Sequence, residues 1–98
     1  MAGYLIATYD ITNPEAYPAY VAVVGATLAG SGAEVLVADY NSEVVEGKPA
    51  KVTVVLKFAS KAAALEWYNS AAYQAIVHHR TTNSSGSMVL VDGFVPPA

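Results

Sequence analysis

The stretch AIVHHRTTN, residues 75–83, sets His78, His79 and Arg80 side by side in a chain of which only 13% is charged. An imidazole moves protons near neutral pH, and a guanidinium offers a planar fork to oxygen anions. Arg80 is therefore the candidate anchor for a substrate carboxylate or enolate oxygen, with His79 as the nearby acid or base. The structural alternative is three cations at a helix C-terminus that favour the dipole, with Arg80 snorkelling or pairing Asp92 or Asp10. At about 100° per residue, Tyr73, Ile76, Val77 and Arg80 share one helical stripe, which points Arg80 inward. His78 falls opposite and His79 on the flank, so the three side chains converge only if the helix ends before Arg80.

Other residues with chemistry are sparse. Asp10 closes the first strand, where a carboxylate serves as a base or as part of the turn. Seven tyrosines and one tryptophan are many for 98 residues. Most such aromatics are core, but Tyr4, Tyr20, Trp67 and Tyr73 are the candidates to line a pocket, with phenol hydroxyls orienting the ligand. Metal binding is not expected: there is no cysteine, and adjacent histidines lack the i, i+4 spacing that puts two ligands on one face. Gly30 and Gly32 make no phosphate-binding fingerprint and read as a helix stop. SSGS lacks the strand–turn–helix context of a serine nucleophile.

The elements that must position these groups follow from pattern. YLIATYDI, residues 4–11, reads as a strand ending at TNP. Asn13 then caps a helix with Pro14 at its first position and Glu15 at the positive dipole end. Its apolar face runs through Tyr17, Tyr20 or Val21, Val24 and Leu28, and Gly30–Gly32 ends it. Residues 34–46 read as an edge strand broken near Asp39–Ser42, and EGKP turns the chain into KVTVVLKF, the strongest strand signal present. Ser60 caps a second helix that runs to Arg80, either long and kinked or broken at Asn69 and Ser70. Residues 87–94 form the last strand, and VPPA is an extended tail.

The order is βαββαβ, an α+β, ferredoxin-like arrangement: a single domain over residues 1–98, with a four-stranded antiparallel sheet covered by two helices on one face. The strands do not alternate apolar and polar residues cleanly enough for the other face to be bare. Val52, Val54, Leu56 and Phe58 are backed by Thr53 and Val55, and Met88 and Leu90 by Val89 and Val91. Two helices cannot wrap both sides, so a homodimer in which two sheets pack face to face is expected. Hydrophobic residues at 54% and a mean hydropathy of +0.35 agree with surplus apolar surface. A net charge of -3 leaves no basic stripe for phosphates, so nucleic acid is not an expected partner. MAGYLIATYD lacks the features of a secretion signal, and YVAVVGATLAG is about half the ~20 residues of a membrane span. A soluble cytoplasmic protein with no membrane partner is the expectation.

GYLIATYDITNPEAYPAY, EVVEG, EWYNSAAYQAIVHHR and VLVDGF together resemble the domain-of-unknown-function 1330 family, over residues 3–94. The resemblance implies the dimeric α/β-barrel superfamily and a small-molecule pocket between sheet and helices, but no single reaction. Related families include cofactor-independent monooxygenases, isomerases, cyclases and dehydratases. The chain departs from the family around the second strand, where members carry arginines in a pattern like GGRFLVRGG. Here the segment reads GSGAEVLVADY, with Glu34 and Ala38 or Asp39 in place of basic residues, so an anion-binding role of those arginines does not transfer. The expected function is binding of a small apolar, oxygen-bearing metabolite without metal or organic cofactor. One form of it is proton transfer, isomerisation, cyclisation or oxygenation; the other is a regulatory or carrier module without turnover.

Overall fold

The computed structural model describes residues 1–97. The chain folds as β1 (Gly3–Ile11), α1 (Pro18–Leu28), β2 (Glu34–Asp39), β3 (Val52–Phe58), α2 (Lys61–Tyr68), α3 (Ala71–Gln74), α4 (His78–Thr81) and β4 (Ser84–Asp92). The strands form one antiparallel sheet in the order β2-β3-β1-β4. This is the ferredoxin-like α+β fold. All helices lie on one side, and the molecule is a slab of 48 × 37 × 16 Å, too thin for a second helical layer.

Strand register assigns each side chain to a face. Leu5, Ala7 and Tyr9 of β1, with Val52, Val54, Leu56 and Phe58 of β3, face the helices and build the core with Tyr17, Tyr20, Ala64, Trp67 and Tyr73. The opposite face carries a row of four apolar residues, Val37–Val55–Ile6–Val89, one from each strand. Lys57 and Tyr4 flank it on one side and Thr53, Thr8 and Ser87 on the other. Among the described residues nothing covers that row, and Val89 is 51% exposed.

Three boundaries differ from the sequence expectation, and of the two forms open to the second helix the broken one is adopted. The first helix starts at Pro18 rather than Pro14. Asn13 carbonyl accepts from Ala16 and Tyr17 in a single preliminary turn, but Pro18 has no N–H to give the Pro14 carbonyl, so the ladder restarts there. Tyr17 thus precedes the helix, and Val21 points outward. The second strand ends at Asp39, whose carboxylate accepts from Asn41 N–H at 2.8 Å and turns the chain. The second helix is in three pieces: Ser60 caps α2 through Ala63 N–H, as expected, and Ser70 caps α3 through Tyr73 N–H. The last strand begins three residues early, at Ser84. SSGS has little strand propensity, but pairing with Tyr9, Asp10 and Ile11 extends it. Gly86 is required in that pairing, since a Cβ there would lie 2.2 Å from the Thr8 carbonyl oxygen.

Candidate functional site

Between the sheet and α1 lies a cavity of about 120 Å³. It exists because α1 packs on α3 and α4 rather than pressing on the strands, and because its floor is made of small residues. Met88, Ala7, Val54 and Ala38 form one cross-sheet row beneath it. A β-bulge between Val35 and Val37 brings both Val35 and Ala38 to this face. Val24, Leu28, Leu56 and Trp67 enclose one end; Tyr9, Tyr20, Tyr40 and Arg80 enclose the other. The mouth lies at the β2 edge, where Val35 is 56% and Tyr40 47% exposed.

Arg80 is 8% exposed. The end of α4 holds its backbone in place: Asn83 side-chain N–H donates to His79 carbonyl at 2.9 Å, and Ser84 hydroxyl donates to Arg80 carbonyl at 2.5 Å. The guanidinium carbon sits 5.9 Å from the ring centres of both Tyr9 and Tyr20, within range of cation–π attraction. Among the described residues no carboxylate meets it. The one ion pair among the described residues joins Lys61 to Asp92 at 3.5 Å, and Asp10 accepts from Lys51 N–H at 2.9 Å. The Nε of Arg80 is buried without a hydrogen-bond partner. Burial opposes its charge, but Tyr73 and Tyr20 outweigh that and hold its pKa above the ordinary value. The guanidinium therefore remains a cation.

The phenols around it satisfy one another. Tyr9 and Tyr17 hydroxyls lie 2.5 Å apart, Tyr17 and Tyr40 3.4 Å, and Tyr20 and Tyr73 2.8 Å. Burial pushes Tyr17 and Tyr20 well above the usual phenol range, and their hydrogen-bond partners push in the same direction. Tyr9 is raised as well, chiefly by burial, against the lowering effect of its bond to Tyr17. All three are neutral at physiological pH. Trp67 donates from Nε1 to Thr27 Oγ1 at 3.2 Å and lies 4.1 Å, centre to centre, from Tyr73.

Arg80, Tyr20 and Trp67 are brought together on this cavity, and Tyr73 supports it from behind through Tyr20. Three other candidates stand elsewhere. Tyr4 and Asp10 have the wrong strand parity: they are one residue out of step with Leu5, Ala7 and Tyr9 and emerge on the opposite face. His79 stacks on exposed His78 at 4.1 Å, on the flank of α4, and lines no part of the cavity. Tyr9 and Tyr40 were not singled out by the sequence reading. The signal for Tyr9 was its parity with Leu5 and Ala7; Tyr40, beyond the strand end, gave none. Among the described residues no group of three His, Asp or Glu could hold a metal ion, and no helix is long and apolar enough to cross a membrane.

The sequence profile of the domain of unknown function 1330 matches residues 2–94. The chain belongs to the DUF1330 family. No match was found among curated proteins. Solved structures give this DUF1330 chain its fold relatives. A protein of unknown function from Rhodopseudomonas palustris superposes with a TM-score of 0.77 at 17% identity, over 97% of this chain and 84% of that one. HapK from Hahella chejuensis gives 0.66 at 14%, over 98% and 96%. A putative antibiotic biosynthesis monooxygenase from Nitrosomonas europaea gives 0.58 at 12%, over 98% and 94%. At these identities the likeness is one of fold, so the chemistry of the DUF1330 cavity rests on its own residues.

Proposed function

We propose that this DUF1330 protein is a homodimer that binds a small apolar, oxygen-bearing metabolite in the cavity between sheet and α1. We assign it cofactor-independent chemistry on that metabolite. One observation carries the reading: a charged guanidinium, buried with an unpartnered Nε and no carboxylate beside it, faces an otherwise apolar chamber. Tyr73 and Tyr20 keep the guanidinium charged but bring no counter-charge and leave Nε unpartnered, which supports an oxygen anion that arrives with the ligand or develops on it. Arg80 would stabilise an enolate or related oxyanion in isomerisation, cyclisation or oxygenation. The fold likeness to a putative antibiotic biosynthesis monooxygenase agrees with that range.

The proton-moving role assigned to His79 or Asp10 loses its geometric support, because neither reaches the chamber. The hydroxyl chain Tyr9–Tyr17–Tyr40, running from the cavity wall to the exposed β2 edge, is the better route for a proton. The same absence of imidazole and carboxylate favours a second reading, a ligand-binding module without turnover. Native mass spectrometry after incubation with a mixture of small phenols, ketones and carboxylic acids tests the chamber. The wild type should retain adducts that Ala38→Leu, which fills the floor from an exposed strand, does not. No adduct on the wild type, or the same adducts on both, refutes it.

The apolar row Val37–Val55–Ile6–Val89 supports the dimer. Packed against its symmetry mate it would contribute roughly 25 cal/mol per Å² of apolar surface covered. Light scattering should give twice the 10.2 kDa chain mass and the chain mass itself for Val55→Lys. A stable wild-type monomer at micromolar concentration would sink this part of the proposal.

A further inference from the structure

Resting on the cavity reading above, we infer that the ligand is a compact organic monoanion: a carboxylate seated on Arg80 whose short aliphatic or single-ring body lies over the Ala7–Val54–Ala38 floor toward Trp67. Charge, size and polarity each restrict the class.

Charge sets the first limit. Arg80 is the single ionised group among the residues that line the chamber. One carboxylate balances it. A second negative charge, as in a phosphate monoester or a dicarboxylate, would sit unpaired among Val24, Leu28, Val35 and Leu56, where burial of a lone charge is heavily penalised. A neutral carbonyl could accept from Nε but would leave the guanidinium charge without a counter-charge. The planar carboxylate also matches the fork that guanidinium presents.

Size sets the second. An apolar cavity of about 150 Å³ takes benzene, and this one is about 120 Å³. The part of the ligand that the cavity encloses is therefore limited to about six non-hydrogen atoms, with the remainder extending through the β2-edge mouth. Polarity sets the third. Beyond Arg80 and the phenols, the wall offers only Ala, Val, Leu, Met and the face of Trp67, whose indole N–H is already spent on Thr27. A body carrying several hydroxyls, such as a sugar acid, would lose hydration there without replacement. The phenols of Tyr9 and Tyr20 beside the guanidinium leave the anion unopposed, since neither is ionised at physiological pH.

Trp67 is the one tryptophan of the chain and forms part of the chamber wall, so its fluorescence reports occupancy directly. The full chain is titrated at pH 7 with benzoate and butyrate, with the neutral isosteres benzamide and butyramide, and with the dianion phthalate. The monoanions should shift Trp67 emission saturably, the amides should bind at least tenfold more weakly, and phthalate should leave emission unchanged. Arg80→Met, checked for fold by circular dichroism, should reduce the preference for benzoate over benzamide to below twofold. Arg80→Lys should keep part of it. If benzamide binds as tightly as benzoate, or phthalate binds as tightly as either, the chamber stands and the monoanion class is wrong. If no compound perturbs Trp67 in the wild type and Ala38→Leu gives the same blank titration, the chamber itself is not a binding site and both conclusions fall.

Discussion

Replacing Arg80 by methionine should make the protein more stable. Methionine keeps the unbranched stem and much of the length, so contacts along the side chain survive. Two terms change. The wild type loses several kcal/mol by drawing a cation out of water, and about 1–3 kcal/mol more by leaving Nε without a partner. Against that stand two cation–π contacts at 5.9 Å, worth about 1–2 kcal/mol each in a desolvated site, and the Tyr73 and Tyr20 phenols that favour the charged form. The balance favours methionine by about 1–3 kcal/mol, in line with the gain seen when buried charges are exchanged for apolar groups of similar volume. For a domain of this length, each kcal/mol moves Tm by about 4–8 °C. Urea melts at pH 7 give the free energy directly, with both proteins at the same concentration so that any self-association affects them alike. A loss of 2 kcal/mol or more would refute the reasoning, because it would make Arg80 a structural tie that the phenols fully solvate, and the case for a ligand anion would go with it.

Alkaline pH tests the phenols. Tyr9, Tyr17 and Tyr20 have folded pKa values above that of an unfolded tyrosine, burial being the main cause. Above about pH 10 the unfolded chain releases these protons and the native chain keeps them, so stability is full below that pH and falls as pH rises. The slope should approach about 1.4 kcal/mol per pH unit for each phenol retained. Phenolate absorbance should show these three tyrosines ionising together with loss of structure; reversible ionisation of all seven in the native state would contradict the burial argument. Gly86→Val should unfold the β1–β4 pairing, because its Cβ would meet Thr8 and Tyr9 backbone atoms at 2.2 and 2.4 Å. A loss of more than 3 kcal/mol in urea melts is the outcome expected of such a backbone clash, and a Gly86→Val chain within 1 kcal/mol of wild type would show that the strand shifts to accommodate the side chain.

Much of the fold was legible because local and tertiary signals agreed. VTVVLKF is β-branched and core-facing at alternate positions, and Ser60 sits where a helix must cap. The inward turn of Arg80 followed from its stripe with Tyr73. Illegible features were those in which long-range pairing overrode local preference. SSGS became strand because β1 extended past it, and the helix after TNP waited for Pro18 because a missing N–H four residues on outweighed a good N-cap. The site was half legible for a related reason. Period-2 parity separates Tyr9 from Tyr4 and Asp10, a rule available from YLIATYD alone once Leu5 and Ala7 are taken as core. The bulge at residue 36 is different: it resets the parity of β2, so that Val35 and Ala38 share the cavity wall, and no residue type there announces it.

Why the chamber stays open follows from how its walls satisfy their own polar groups. Tyr9 of β1 with Tyr17, just before α1, props the start of that helix off the sheet, and Tyr20 with Tyr73 ties α1 to α3; both pairs spend their hydroxyls on each other. A prop of that length holds α1 away from a floor whose side chains, Ala7 and Ala38, are too short to fill the gap. Larger residues on the floor would close it, and unpaired phenols would call for water or a ligand of their own. With the phenols closed on themselves, the guanidinium of Arg80 is the one buried side chain among the described residues whose hydrogen bonding is incomplete. On the proposed reading, specificity then concentrates at Arg80: an incoming molecule gains most there if it brings a negatively charged oxygen that both accepts from Nε and balances the cation.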